Sequence, residues 1–389
     1  MKAQQLRTLM AASATVAISL GSISPAAAQS AEEGVNGVIA GSVEGSSQDL
    51  EWTGSTLEAA LSSLNAIGSA DISLSGPLVS SNSEYPLATR DIEKAEILDR
   101  RVIDAGERLE RWTIASPAMQ RDVSVQIMRA ADSEAPAPML YMLSGINTPY
   151  NAGWVEEGDL SSVFGDQDVT LVIPTEASAS MFSDWVSKDS ALGVHMWETF
   201  LVDEIAPLLE QEAELNFNGK RAVGGLSMGA IGAVHLANDN PEFFDATFGI
   251  SGCYSTLDPI GRQMTSLIVG SRGGNVENLW GPFGSEEWVN HDVVNDPEGL
   301  RDMSVYLSAA NGAVTAEDRE FFGTDVVSMT GGSVLERGVL SCTESLDTAM
   351  TDLGMNHQEV HYKGNGTHNW NNYREELSPA WEHVKTALY

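Results

Sequence analysis

A serine between glycines is the residue of this chain best suited to nucleophilic chemistry. The pentapeptide Gly225-Leu226-Ser227-Met228-Gly229 joins a short apolar segment, predicted as a strand, to a small-residue segment predicted as a helix. A serine on so tight a turn needs glycine on both sides, because the backbone is strained there and the helix must pass close behind it. The pattern predicts an exposed nucleophilic hydroxyl on Ser227, and a chance Gly/Ser turn is the alternative.

The serine hydroxyl needs a base to accept its proton, and seven histidines compete for that role. His368 lies in Gly364-Asn365-Gly366-Thr367-His368, a glycine-rich run directly after the last predicted strand. Serine before histidine is the order found in the α/β-hydrolase fold. We therefore predict that His368 is the base, with a structural loop histidine as the alternative.

The acid that orients the base is left open by spacing alone. Fold analogy points to the loop after the predicted strand Ser304–Leu307. That loop offers four carboxylates, at Glu317, Asp318, Glu320 and Asp325. Glu336, at the predicted start of a helix, is the other candidate.

The oxyanion of an acyl-transfer reaction needs two N–H donors. One is assigned to Met228, which follows the serine at the positive end of the new helix. The other is assigned to Ile146, in the loop Leu143-Ser144-Gly145-Ile146-Asn147 after a predicted strand. The alternative is that Gly145 marks a plain turn.

Apolar runs and amphipathic segments alternate from about Asp91 onward. This pattern predicts a mostly parallel central sheet with helices on both faces, and a site beyond the carboxyl ends of the strands. The predicted strands are Val123–Met128, Met139–Leu143, Val169–Ile173, Arg221–Gly225, Thr247–Gly252, Ser304–Leu307 and Glu359–Tyr362. The predicted helices are Trp197–Leu215, Met228–Asn238, Ser333–Leu353 and Tyr373–Leu388.

The N-terminus has the layout of a secretory signal. Lys2 and Arg7 precede an apolar run of about 12 residues, and Pro25-Ala26-Ala27-Ala28 follows. We predict a signal peptide over residues 1–28, cleaved after Ala28, and an exported protein; an uncleaved anchor is the alternative. Residues 29–100 are predicted to be an acidic, Ser/Gly-rich extension, and residues 101–389 the catalytic domain.

Composition restricts the partners. The net charge of −34 excludes nucleic acid, because phosphate binding needs clustered Lys and Arg. No segment after the signal offers 18 uncharged apolar residues, so no transmembrane segment is expected in the mature chain.

Two cysteines are too few for a zinc finger or an iron–sulfur site, and no metal or cofactor is expected. In an exported protein Cys253 and Cys342 are predicted to form a disulfide, with two buried thiols as the alternative.

Several further motifs occur in the order found in one enzyme family. They are Met142-Leu143-Ser144-Gly145-Ile146, Tyr150-Asn151-Ala152-Gly153-Trp154, Phe182-Ser183-Asp184-Trp185, Trp197-Glu198-Thr199-Phe200, Gly225-Leu226-Ser227-Met228, Trp280-Gly281-Pro282 and Asn365-Gly366-Thr367-His368-Asn369-Trp370. With them the chain resembles the mycolyltransferases of the antigen 85 and corynomycolyltransferase type over roughly residues 110 to 389. The resemblance implies an α/β-hydrolase fold and a Ser–Glu–His triad. It also implies an acid in a Leu-Glu pair 32 residues before the histidine, which Leu335-Glu336 matches.

The resemblance further implies a secreted transferase that moves a mycoloyl group from trehalose monomycolate through an acyl-enzyme on Ser227. The implied acceptors are a second trehalose monomycolate, arabinogalactan or a protein. The predicted substrate contacts are Ser144, Asn147, Asn151 and Trp370. Ser144 and Asn147 stand where the best-known family members have Asp and Arg, which predicts a different acceptor pocket.

The apolar residues after Cys253 are a predicted acyl-chain site, with an ordinary core helix as the alternative. They are Leu257, Ile260, Met264, Leu267 and Ile268. Two other functions remain open from sequence. One is a secreted carboxylesterase with the same triad, and the other is a non-catalytic cell-wall or matrix-binding protein.

Overall fold

A computed structural model describes residues 85–389, which form a central sheet with helices on both faces. The strands are β1 (Glu96–Asp104), β2 (Leu109–Ser116), β3 (Arg121–Met128), β4 (Ala137–Leu143), β5 (Thr170–Pro174), β6 (Phe217–Leu226), β7 (Ala246–Ile250), β8 (Ser304–Ala310) and β9 (Glu359–Lys363). Their order in the sheet is β1-β2-β3-β5-β4-β6-β7-β8-β9. Strands β5, β4 and β6 to β9 pair in parallel, and β1, β2, β3 and β5 pair antiparallel.

The helices fill the connections between the strands. They are α1 (Gly153–Glu156), α2 (Leu160–Phe164), α3 (Trp197–Thr199), α4 (Ala206–Glu210), α5 (Met228–Asp239), α6 (Pro259–Gly270), α7 (Val276–Trp280), α8 (Glu286–Asn290), α9 (Ala316–Phe322), α10 (Val326–Asp352) and α11 (Trp370–Val384). A π-helical turn covers Phe200–Ile205, and 3₁₀ turns cover Ala213–Leu215, Glu298–Leu300 and Lys385–Ala387. Among residues 85–389, no helix has both the length and the apolar composition needed to cross a bilayer.

The central strands are buried on both faces. Along β4, Met139 and Tyr141 belong to one apolar cluster, whereas Leu140 and Met142 belong to another on the opposite face. Alternate side chains of a strand point to opposite faces, so a strand covered on both sides is apolar throughout. Helix α5 packs in the first cluster and α11 in the second, which holds the carboxyl ends of the strands between two helical layers.

An antiparallel hairpin at one edge of the sheet is absent from the sequence prediction. Strand β1 pairs along its length with β2, although its side chains are mostly exposed and charged. An edge strand of this kind is held by backbone hydrogen bonds and shows no apolar alternation, so the sequence pattern does not predict it. It begins at Glu96, before the predicted domain start at residue 101. The predicted signal peptide and residues 29–84 of the extension lie outside the described residues.

Two helix predictions need correction. The predicted helix Trp197–Leu215 is broken into α3, a π-helical turn, α4 and a 3₁₀ turn, because Pro207 has no N–H to continue a regular helix. Helix α10 begins at Val326 rather than Ser333, since Asp325 caps it by accepting from the Ser328 N–H. Glu336 therefore lies within the helix and not at its start.

A disulfide ties the end of β7 to the middle of α10. Cys253 and Cys342 are joined, with Cα atoms 4.8 Å apart and a separation of 89 positions along the sequence. Both side chains are buried. The bridge therefore fixes the helix that carries Glu336 against the sheet.

Removal of this bridge is expected to destabilise the protein. In the chain-entropy model a closed loop of this length contributes on the order of 4 kcal/mol. The double substitution Cys253→Ala/Cys342→Ala should therefore lower the free energy of unfolding in urea by a few kcal/mol. Alkylation of the unreduced, unfolded wild type should find no free thiol, and two alkylated cysteines would contradict the structure.

Candidate active site

Ser227 sits on a strained turn between β6 and α5. Its backbone has φ 52° and ψ −122°, in the positive-φ region that an L residue rarely occupies. A Cβ on Gly225 would collide with the Gly229 carbonyl, and one on Gly229 would collide with the Leu143 carbonyl. Both glycines of the motif are therefore required by close backbone contacts. The turn leaves Ser227 partly exposed while its neighbours Leu226 and Met228 are buried.

The loop after β4 lies beside this serine. A Cβ added to Gly145 would be 3.6 Å from Ser227 Cβ and 3.9 Å from its Oγ. The peptide N–H of Ile146 belongs to this loop, and Met228 is the first residue of α5. The first N–H groups of a helix have no partner within the helix, so the Met228 N–H is free of intrahelical bonding. The two predicted oxyanion donors flank the serine, one from the loop after β4 and the other from α5.

Ser227, His368 and Glu336 form a continuous hydrogen-bonded chain. The Ser227 hydroxyl lies 2.8 Å from His368 Nε2, and His368 Nδ1 lies 2.8 Å from Glu336 Oε2. A carboxylate only accepts hydrogen bonds, so His368 Nδ1 carries the proton and Nε2 is left to accept from the serine. This is the arrangement that activates a serine hydroxyl.

Glu336 is fully buried and satisfied on both oxygens. Besides the bond from His368 to Oε2, Oε1 accepts from the Ser251 hydroxyl at 2.7 Å and the Ala310 N–H at 2.8 Å. The Asn372 amide adds a third donor to Oε1 at 3.1 Å. A buried carboxylate needs such partners in place of water.

Residues of α9 and α10 hold the histidine loop, the segment 364–369 that carries His368. Asp318 accepts hydrogen bonds from the Thr367 hydroxyl at 2.9 Å and from the Asn369 amide at 2.6 Å, on either side of His368. The His368 N–H donates to the Gly332 carbonyl of α10 at 3.1 Å. Asp318, considered as the triad acid from sequence, thus supports the loop instead. Asp318 also forms a capping box with Thr315 at the start of α9.

The buried Tyr373 packs against the His368 ring. Its ring meets the His368 ring edge to face, with centroids 5.4 Å apart. Burial raises the pKa of the Tyr373 hydroxyl well above its usual value, and the nearby Glu336 charge raises it further. The phenol therefore stays neutral and provides a packed wall rather than a second base.

Two of the predicted substrate contacts are asparagines that bind arginines. Asn147 Oδ1 accepts from Arg272, and Asn151 Oδ1 accepts from Arg111 at 2.8 Å. Arg111 also lies over the Tyr150 ring, 3.7 Å from its centroid. Because guanidinium groups only donate, these bonds fix the direction of both amides. Both asparagines are exposed, so sequence reasoning identified surface positions but missed the arginines that orient them.

Trp370 is partly buried against the loop that carries Asn151. Its ring packs against the Cα of Gly153, and it meets Trp154 edge to face at 5.6 Å. Trp154 in turn donates from Nε1 to the Leu143 carbonyl at the end of β4. Trp370 thus links the histidine loop to the end of β4.

The remaining predicted contacts are more buried. The Ser144 side chain is 2% exposed, and its hydroxyl has no hydrogen-bond partner among residues 85–389. On α6, Met264, Leu267 and Ile268 are buried in the main core, and Ile260 packs against that core, as does Leu257 just before the helix. This is the core helix that the sequence offered as the alternative to an acyl-chain site.

Among residues 85–389, Glu198, His235 and His291 are the group of metal-ligand types lying close together. His291 uses both ring nitrogens, on the Ser183 hydroxyl at 2.8 Å and the Glu287 carbonyl at 2.7 Å, and its ring stacks on His235. Burial lowers the pKa of His235 to about 4 and that of His291 to about 3. Both imidazoles are therefore neutral. Because both ring nitrogens of His291 are already hydrogen-bonded, we interpret the pair as part of the packing behind α5.

The family model described as "Putative esterase" matches residues 116–384, most of the chain. The chain belongs to this esterase family. The matched region contains Ser227, Glu336 and His368.

The chain is also similar to named acyltransferases. The diacylglycerol acyltransferase/mycolyltransferase Ag85A of Mycobacterium leprae (strain TN) is 25% identical over 280 residues, covering 70% of this chain and 81% of that protein. Ag85B of the same organism is 26% identical over 289 residues, covering 73% and 85%. These matches confirm the predicted mycolyltransferase resemblance and the predicted enzyme class, an acyltransferase.

Solved structures confirm the predicted α/β fold. Mycobacterium tuberculosis MPT51 (FbpC1) aligns with a TM-score of 0.54 and 21% identity, covering 70% of this chain and 96% of that one. The Staphylococcus aureus fluorophosphonate-binding serine hydrolase FphF aligns with a TM-score of 0.52 and 11% identity over the same shares. At these identities the likeness concerns the fold alone.

The contacts of Glu336 predict that its substitution lowers activity far more than substitution of another acidic residue in this region. Glu336→Gln should lower kcat roughly a thousandfold or more, because an amide can no longer hold His368 in the required tautomer. Asp325→Asn, the matched control, alters only the cap of α10 and should keep kcat within a few-fold. Steady-state hydrolysis of an activated ester measures both. An equal loss in the two variants would contradict the assignment of the acid.

Proposed function

We propose that this protein is a secreted mycolyltransferase that moves a mycoloyl group from trehalose monomycolate to an acceptor hydroxyl of the cell envelope. The observation that carries the proposal is the Ser227–His368–Glu336 chain, with both bonds at 2.8 Å, at the carboxyl ends of the parallel strands. The named Ag85 relatives support the choice of a mycolate ester as donor. The acceptors are a second trehalose monomycolate, arabinogalactan or a protein.

In the first half-reaction Ser227 Oγ attacks the ester carbonyl while its proton passes to His368 Nε2. The Ile146 and Met228 N–H groups stabilise the oxyanion. As the intermediate collapses, the bond to trehalose breaks and the departing oxygen takes the proton from Nε2. The products are free trehalose and a mycoloyl ester on Ser227.

In the second half-reaction the acceptor hydroxyl gives its proton to His368 Nε2 and attacks the acyl-enzyme. Collapse of the second intermediate breaks the bond to Ser227 Oγ, which recovers a proton from Nε2. Glu336 accepts from Nδ1 throughout and stabilises the imidazolium in both halves. No cofactor or metal takes part in these steps.

A transferase must hold its acceptor, because water competes for the acyl-enzyme at far higher concentration. The loop of Asn151 and the ring of Trp370 meet near the end of β4, next to the histidine loop. An indole face suits the apolar side of a pyranose, and an oriented amide suits its hydroxyls. These two side chains are the proposed sugar contacts, and Ser144 and Asn147 belong to the neighbouring loop after β4.

Product analysis tests the proposed function. We expect purified protein mixed with trehalose monomycolate to form trehalose dimycolate and free trehalose, measured by mass spectrometry, and Ser227→Ala to form neither. Release of free mycolic acid alone, at every trehalose concentration, would favour the carboxylesterase instead. Absence of any product with a correctly folded wild type would favour the non-catalytic binding role.

The ratio of transfer to hydrolysis tests the acceptor contacts. Trp370→Ala should lower transfer more than hydrolysis and so raise the fraction of free acid, whereas Trp370→Phe keeps an apolar ring and should stay closer to wild type. Both products are quantified in one reaction. An equal fall of transfer and hydrolysis in Trp370→Ala would show that the ring only packs the histidine loop.

A further inference from the structure

A polar connection leads from Glu336 to a lysine at the end of β9. Asn372, buried in the first turns of α11, donates from Nδ2 to Glu336 Oε1 at 3.1 Å and to Ser251 Oγ at 3.2 Å. Its Oδ1 accepts from Lys363 Nζ at 2.8 Å. The asparagine thus spans the distance between the buried carboxylate and a cation near the surface.

The chemistry of the partners fixes the direction of this amide. A lysine ammonium only donates, so the oxygen of Asn372 must face Lys363. The NH₂ group must then face Glu336, which only accepts when ionised. Ser251 completes the pattern, since its proton goes to Glu336 Oε1 and its lone pair accepts from Asn372. All four groups are satisfied in one orientation only.

Turned the other way, the amide would place its oxygen against a carboxylate oxygen and its NH₂ against an ammonium. Both contacts are repulsive, and the first would be buried and unscreened. Lys363 thus discriminates between two amide orientations of nearly equal shape. It is itself held by Glu375 and, at 3.8 Å, by the buried Glu376.

The hydrogen bond between Lys363 and Asn372 also closes the base of the histidine loop. Lys363 is the last residue of β9, and Asn372 lies on the third position of α11, so the contact joins the two ends of the segment that carries His368. Gly366 in this segment has φ 117°, and a Cβ there would lie 3.4 Å from Asn372 Oδ1. One side chain therefore contacts both the acid and the loop of the base.

We propose that Asn372 is a positioning residue for Glu336, and that Lys363 acts through it by fixing the direction of its amide. This inference rests on the proposed function, because it concerns the same triad. Asn372 contacts no reacting atom; it keeps Glu336 Oε2 directed at His368 Nδ1.

The expected signature is a loss in kcat with little change in KM. Asn372→Leu should lower kcat about tenfold, the order expected for one lost hydrogen bond to a charged group. Asn372→Asp should cost more, because a second carboxylate would face Glu336 at hydrogen-bond distance. The neighbouring Asn371→Leu, which touches neither Glu336 nor Lys363, is the matched control and should stay near wild type.

A double-mutant cycle tests the part played by Lys363. Lys363→Met should lower kcat several-fold in the wild-type background and have no further effect in Asn372→Leu, because the two residues act in series. Lys363→Arg restores a donor and should recover most of the activity.

The measurements are kcat and KM for an activated ester, the rate of labelling by a serine-directed phosphonate, and the melting temperature of each variant. Unchanged kcat in Asn372→Leu, or additive losses in the cycle, would overturn the proposal while leaving the proposed function intact. A loss that follows the melting temperature and is not recovered by Lys363→Arg would show a merely structural role. Wild type that neither turns over ester nor reacts with the phosphonate would instead reject the proposed function.

Discussion

The carboxylate of Glu336 has no access to water, and a buried charge is stable only where protein groups replace its hydration. Four donors do so, and each comes from a different part of the fold. Ser251 follows β7, Ala310 ends β8, His368 follows β9, and Asn372 lies in α11. The strand order that brings these ends together, and the disulfide that fixes α10 against the sheet, are therefore conditions for the site to exist.

Burial of this charge also explains the asymmetry of the triad. Glu336 is inaccessible and His368 is only 6% exposed, whereas Ser227 is partly open to solvent on its strained turn. The negative charge is thus most effective at the imidazole, where positive charge develops during reaction, because few water molecules screen it. Asp318, by contrast, accepts hydrogen bonds from Thr367, Asn369 and Thr315, and so stabilises the histidine loop.

The sequence predicted the parts of this site that depend on local backbone constraints. The glycines around Ser227 and the glycine-rich loop of His368 leave a local signature, because only small residues allow those close contacts. The parallel strands were predicted because burial on both faces makes them apolar throughout. The acid was chosen by a family spacing, since nothing local distinguishes Glu336 from the other carboxylates of that region.

What the sequence did not predict depends on contacts between distant residues. Strand β1 is held by backbone pairing with β2 and carries charged, exposed side chains, so its pattern is that of a loop. Asn372 and Ser251 are ordinary polar residues until the fold places them on one carboxylate, 121 residues apart in sequence. The arginines that orient Asn147 and Asn151 are likewise far away along the chain. Pairings of this kind have no periodicity by which to recognise them.

The proposed function requires that Ser227 is the nucleophile and that His368 activates it. The most direct test is reaction of the purified protein with a serine-directed fluorophosphonate, followed by peptide mapping and a comparison of labelling rates. We expect one adduct per chain, on Ser227, and a labelling rate that falls by orders of magnitude in His368→Ala. Modification of a different serine, or an unchanged rate in His368→Ala, would contradict it.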